Sequence, residues 1–107
     1  FGPILGQAHH FLHFNPGKSD YAEERFRSEV ARLYDVLDRR LEGLDYICND
    51  YSIVDMACWP WVSRYDWQQV NLADYPNVQS WYQRLLARDA VQKGYQVPKH
   101  MGEIPQG

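Results

Sequence analysis

The stretch Tyr51-Ser52-Ile53-Val54-Asp55-Met56 constrains the fold of this chain more than any other. Serine is a favoured helix N-cap, and a carboxylate three residues later can reach back to the cap's own N–H. Ser52 and Asp55 therefore spell a capping box, with Asp in the place usually held by Glu or Gln. Tyr51 and Met56 fall at the two positions of a hydrophobic staple, which fixes the angle at which the chain enters the helix. The run that follows, Ile53 to Val62, has almost no polar face before Arg64. A helix apolar all round is a buried helix, so the sequence predicts a central helix from Ser52 onward with the others packed around it. Pro60 lies inside the run, removes one helical N–H and presses on the Met56 carbonyl, which predicts a bend.

The remaining segments also read as helices. Ile4, Leu5, Ala8, Phe11 and Leu12 recur at helical spacing, and Asn15-Pro16-Gly17-Lys18 stops that helix. Ser19 or Asp20 caps a second helix with Glu23 and Glu24 in its first turn. There Phe26, Val30, Leu33, Leu37, Leu41 and Leu44 form one apolar stripe, Arg25, Arg27, Glu29, Arg32, Asp35, Asp38, Arg39, Arg40 and Glu42 form a mixed-charge face, and Gly43 ends the helix. Pro76 opens a fourth helix through Val78, Trp81, Tyr82, Leu85 and Leu86, and Asp89 caps a short fifth one. No segment alternates with a period of two. The prediction is all-α: one domain over residues 1–98, about five helices, and an extended or disordered tail over 99–107.

Composition narrows the functional classes. At 107 residues and 45% hydrophobic content the chain can build one core. Its net charge of -3 arises from interleaved acids and bases, which argues against a nucleic-acid surface. The apolar run is too short to span a membrane, and no signal-peptide pattern opens the chain, so a soluble, cytoplasmic protein is expected. Phe1 leads almost directly into a helix without an initiator Met, the expected look of a fragment. Cys48 and Cys58 form no C-x-x-C pair, and Cys58 reads as a buried free thiol.

Few residues point to chemistry by spacing alone. His9 and His13 share a helix face as metal ligands can, but no third ligand follows by spacing; the face could equally line a cleft or simply pack. No metal is expected. Arg25 is either one member of a solvated face, paired with Glu29, or an anion anchor. Trp59, Trp61, Trp67 and Trp81 have the spacing of core residues more than of a ligand platform. There is no G-x-S-x-G, no P-loop and no paired nucleophile and base, so no catalytic residue is assigned.

The segments Gly2-Pro3-Ile4-Leu5-Gly6-Gln7-Ala8-His9-His10-Phe11, Tyr21-Ala22-Glu23-Glu24-Arg25-Phe26 and Asp50-Tyr51-Ser52-Ile53-Val54-Asp55 resemble the C-terminal helical domain of cytosolic glutathione transferases. They are most similar to the bacterial nu class, the disulfide-reducing group. Trp59-Pro60-Trp61 and Tyr75-Pro76-Asn77-Val78 with Trp81 agree. The resemblance implies a cytoplasmic homodimer in which a thioredoxin-like N-terminal domain, absent from this chain, holds glutathione and supplies the activating group. The helical domain would pack on it, line the second-substrate pocket and contribute to the dimer interface. Arg25 matches an arginine that reaches glutathione in that class, and Gln7, His10 and Phe14 become candidates for the pocket that takes an electrophile or disulfide. Glu23 departs from the apolar residue more common there.

Two readings follow. One is the C-terminal domain of a glutathione-dependent enzyme, conjugating electrophiles or reducing glutathione-linked disulfides. The other is a non-catalytic dimerisation or protein-docking module of the same fold.

Overall fold

The computed structural model describes every residue from Phe1 to Gly107. Five α-helices carry the fold: α1 (Gly2–Ala8), α2 (Asp20–Leu41), α3 (Ile53–Val62), α4 (Pro76–Leu86) and α5 (Asp89–Gly94). There is no β-strand. The first helix continues beyond α1 as a π-helical segment, His9–Phe14, closed by the Asn15 N–H donating to the His10 carbonyl at 2.9 Å. No helix is long and apolar enough to cross a membrane.

Helix α2 starts where Ser19 Oγ accepts the Ala22 N–H at 3.2 Å. It ends at Leu41, and Gly43 then turns the chain at φ +73°, a region that favours glycine. Its buried stripe is Val30, Tyr34, Leu37 and Leu41, so Tyr34 takes an inward position that an aliphatic reading of the stripe passes over. Helices α1 and α4 pack against α2, and both also flank α3. Trp81, Tyr34, Tyr82, Leu5 and Leu41 are the largest fully buried apolar side chains between them. Gly2 and Gly6 bring α1 close to the Trp61 indole: a Cβ on either would stand 3.4 to 3.7 Å from it.

Two aspartates join the helices. Asp38, on the face of α2 read as solvated, caps α4: its Oδ1 accepts the Asn77 and Val78 N–H groups at 2.8 and 3.1 Å. Tyr75, the local N-cap residue, makes no side-chain bond, so this remote carboxylate supplies what the α4 sequence lacks. Asp55 closes the capping box of α3. Its Oδ2 accepts the Ser52 N–H at 3.0 Å, while the Val54 N–H donates to Ser52 Oγ at 3.2 Å. The carboxylate does more than cap, because its Oδ1 also accepts the Ile47 N–H at 3.1 Å and the Trp81 indole N–H at 2.8 Å.

The prediction of a helix buried on all sides is corrected for α3. Asp55, Trp59 and Val62 are buried, but Ile53 is 78% and Met56 51% exposed, and Val54, Ala57 and Pro60 also face outward. Helices α1 and α4 cover one side only, and α2 packs on those two helices instead of on α3. The central position belongs to the α1, α2 and α4 contacts. The helix continues through Pro60 to Val62.

The final residues, 98–107, form no helix. They return along α4, where the Tyr82 hydroxyl donates to the Pro105 carbonyl at 2.5 Å and the Gly107 N–H donates to the Tyr65 oxygen at 3.1 Å.

Two mutational comparisons check these joints by urea unfolding. Asp38→Ala is expected to cost about 1 to 2 kcal/mol as a lost cap, against under about 1 kcal/mol for Asp35→Ala, whose partner Arg39 is exposed. Asp55→Ala should cost about 3 kcal/mol or more, because three N–H donors lose their acceptor, whereas Ser52→Ala should cost about 1 kcal/mol.

Candidate functional site

The first turn of α2 is fixed from both sides. Ser19 caps it, and Glu23 Oε2 accepts the Gly17 N–H at 3.0 Å where Gly17 turns at φ +82°. Tyr21, Glu24, Arg25, Ser28, Glu29 and Arg32 then share one stripe of the helix and line a polar recess of about 590 Å³.

Within this recess Arg25 is the cation without an acceptor. Glu29, its i+4 neighbour, engages Arg32 instead at 2.6 Å, and Glu23 faces Arg27 at 3.7 Å. The Arg25 guanidinium lies 6.0 Å from the centre of the Phe26 ring and is exposed. Phe26 stacks on Phe11 with ring centres 5.6 Å apart, and His10 meets Phe11 edge-on at 4.8 Å. An aromatic ladder thus connects the first helix to Arg25.

Gln7, His10 and Phe14 are exposed, and none of them lines the recess around Arg25. Phe14 instead meets the edge of Trp67 at 5.4 Å. His13 stacks on Trp67 at 4.1 Å, and the Arg64 guanidinium lies 4.8 Å from the same ring. His9 meets the edge of the same ring at 5.3 Å and is buried. No three His, Cys, Asp or Glu side chains are grouped to hold a metal ion.

Beneath the first helix lies a polar network that sequence reasoning missed. The Tyr34 hydroxyl donates to Gln68 Oε1 at 2.5 Å, and Gln68 Nε2 donates to the Trp61 carbonyl at 2.7 Å and faces His9 Nε2 at 2.8 Å. Tyr34 was detectable from its spacing between Val30 and Leu37. Gln68 was not, since it sits in irregular turns after α3 where no periodicity marks an inward side chain. Burial pushes the Tyr34 hydroxyl far above the usual tyrosine range, so it remains a proton donor.

Comparison with known proteins identifies the class. The family model of the glutathione S-transferase C-terminal domain matches residues 20–84. The disulfide-bond oxidoreductase YfcG of Escherichia coli (strain K12) is 48% identical over 90 residues, covering 83% of this chain and 42% of that protein. A glutathione transferase of Burkholderia graminis, solved with two glutathione molecules per subunit, superposes with a TM-score of 0.82 at 35% identity. It covers 94% of this chain and 45% of its own. One from Pseudomonas putida, solved with one glutathione disulfide per subunit, gives a TM-score of 0.80 at 36% identity, over 91% and 45%. This chain belongs to the glutathione S-transferase C-terminal domain family. It spans less than half the length of these relatives.

Neither cysteine is part of the recess, and both are free. Cys48 is exposed, whereas Cys58 is half-buried and its thiol is pushed up, chiefly by burial. Since the thiolate is the reactive form, iodoacetamide at pH 7.5 should alkylate Cys48 at least about tenfold faster than Cys58, read by peptide mass spectrometry. Equal rates would contradict this placement of the two thiols.

Proposed function

We propose that this chain is the helical half of a glutathione-dependent enzyme that conjugates electrophiles or reduces glutathione-linked disulfides. The thiolate chemistry is assigned to a thioredoxin-like domain outside this chain. The helical half contributes an anion anchor, Arg25, and the exposed first helix with Gln7, His10 and Phe14 as the wall that meets the second substrate.

The observation that carries this reading is the missing acceptor at Arg25. Glu29 of the stripe pairs with Arg32, and Glu23 beside the stripe pairs with Arg27. A guanidinium held beside an aromatic ring with its N–H groups free is suited to grip a carboxylate through two parallel hydrogen bonds, and glutathione carries two carboxylates at neutral pH. The relatives solved with glutathione or its disulfide support the same ligand. The outward apolar face of α3 supports packing against a second domain, since an apolar face of this kind gains stability when covered. The parent protein is read as a cytoplasmic homodimer, with α1 and α2 at its interface.

The test uses the complete protein and calorimetry with glutathione and glutathione disulfide. Arg25→Ala should weaken binding by roughly tenfold to a hundredfold, the worth of a charge-assisted hydrogen bond, and Arg25→Lys should recover only part of it. Unchanged affinity in Arg25→Ala would remove the anchor from the reading. Side-by-side turnover with a standard electrophile and a glutathione-linked disulfide then separates the two reactions.

A further inference from the structure

His9 is the first residue of the π-helical segment and sits against Gln68, 59 positions away, at 2.8 Å between the two Nε2 atoms. The direction of that hydrogen bond is fixed by the other partners of the Gln68 amide. The Trp61 carbonyl, 2.7 Å from Gln68 Nε2, can only accept, so the amide nitrogen must lie on that side. The Gln68 oxygen is then the acceptor for the Tyr34 hydroxyl at 2.5 Å. One amide hydrogen serves Trp61, and the other points at His9. His9 Nε2 must therefore present its lone pair, with the ring neutral and its proton on Nδ1.

A second proton on His9 would place an N–H against the N–H of Gln68. Turning the amide over gives no relief, because its oxygen would then face the Trp61 carbonyl oxygen. The surroundings offer no counter-ion either. Trp61 and Trp67 enclose the imidazole at 5.6 and 5.3 Å between ring centres, and the titratable and charged groups facing it are His13 from its own segment and Arg64 from the turns after α3. Tyr34, reaching in from α2 through Gln68, stays uncharged.

We propose that His9 is an acid-sensitive latch: while neutral, it ties the His9–Phe14 segment to the turns after α3 through Gln68, and its protonation breaks that tie and loosens the segment while the rest of the bundle persists. His9 and Leu12 are the buried members of the segment, and the Phe11–Phe26 and His13–Trp67 stacks hold its outer side, so losing the His9 contact removes the one side-chain hydrogen bond that ties its start to the turns after α3 and loosens it there. Burial, then His13, then Arg64 lower the affinity of His9 for a proton. The sign follows from proton linkage. The unfolded or released segment takes up the proton more readily, so the latch is at full strength above the ordinary histidine value of about 6.5. It weakens as pH falls through that value, and the loss is complete below the lowered value of the folded state. The latch does not depend on the glutathione chemistry assigned to the parent protein.

The test is made on the intact protein by histidine NMR and amide hydrogen exchange between pH 7.5 and 5. At pH 7.5 the His9 ring should be neutral with its proton on Nδ1. Protection of the amides of residues 9–15, corrected for intrinsic exchange, should fall at least about fivefold by pH 5, the effect of one unmatched buried donor, while α2 and α4 keep theirs. His9→Gln, whose side-chain oxygen can still accept from Gln68, should abolish this pH dependence. An Nε2-protonated ring at pH 7.5, or the same acid loss in His9→Gln, would overturn the proposal. Should that variant fail to fold, the tautomer and titration of His9 in the unaltered protein decide the matter.

Discussion

The Asp55 carboxylate gathers three N–H donors from three parts of the chain: the loop before α3 at Ile47, the N-cap at Ser52 and the indole of Trp81 in α4. A buried carboxylate is costly unless such donors surround it, and each donor would in turn be costly if left without it. The arrangement is therefore all or nothing, and it fixes the start of α3, its distance from α4 and the path of the connecting loop together. Asp38 repeats the device between α2 and α4, where it replaces a local cap that Tyr75 does not supply. Helices that share mainly apolar contacts could slide by a turn at small cost. Two aspartates tied to specific N–H groups remove that freedom.

This frame positions the candidate site by leaving it out of the core. Helix α2 buries Val30, Tyr34, Leu37 and Leu41, which turns the stripe of Tyr21, Glu24, Arg25, Ser28, Glu29 and Arg32 to the outside. Glu29 is then drawn to Arg32, and Arg25 is left beside the Phe26 ring. Surface ion pairs are individually weak, so which pairs form is of small consequence for stability. It is of large consequence for recognition, because it determines which cation has its N–H groups free.

Much of the fold was legible because helices announce themselves locally. The capping box at Ser52 and Asp55, the stripe along α2, Pro76 at the first position of α4 and Gly43 after the end of α2 are each contained in a few consecutive residues. The candidate site was legible only in part. Arg25 stood out through a motif, but Gln68 and Asp38 gave no sign, since Tyr34 and His9 lie 34 and 59 positions from Gln68, and Asn77 and Val78 lie 39 and 40 from Asp38. An inward-turned glutamine in irregular turns has no period to betray it. The run Ile53 to Val62 misled for a related reason: apolar residues on every side indicate that a helix is to be covered, but not by what.

The sequence by itself determined where helices begin and end, which face of α2 turns inward, and the family to which the chain belongs, because those depend on neighbours within a turn or two. Only the tertiary structure decided that α3 is covered on one side, that Asp38 caps a distant helix, that Arg25 is left without an acceptor and that His9 must be neutral. Arg25 is left free by which of its neighbours along α2 pair with one another; the others depend on which groups from remote segments meet, and those meetings follow from packing.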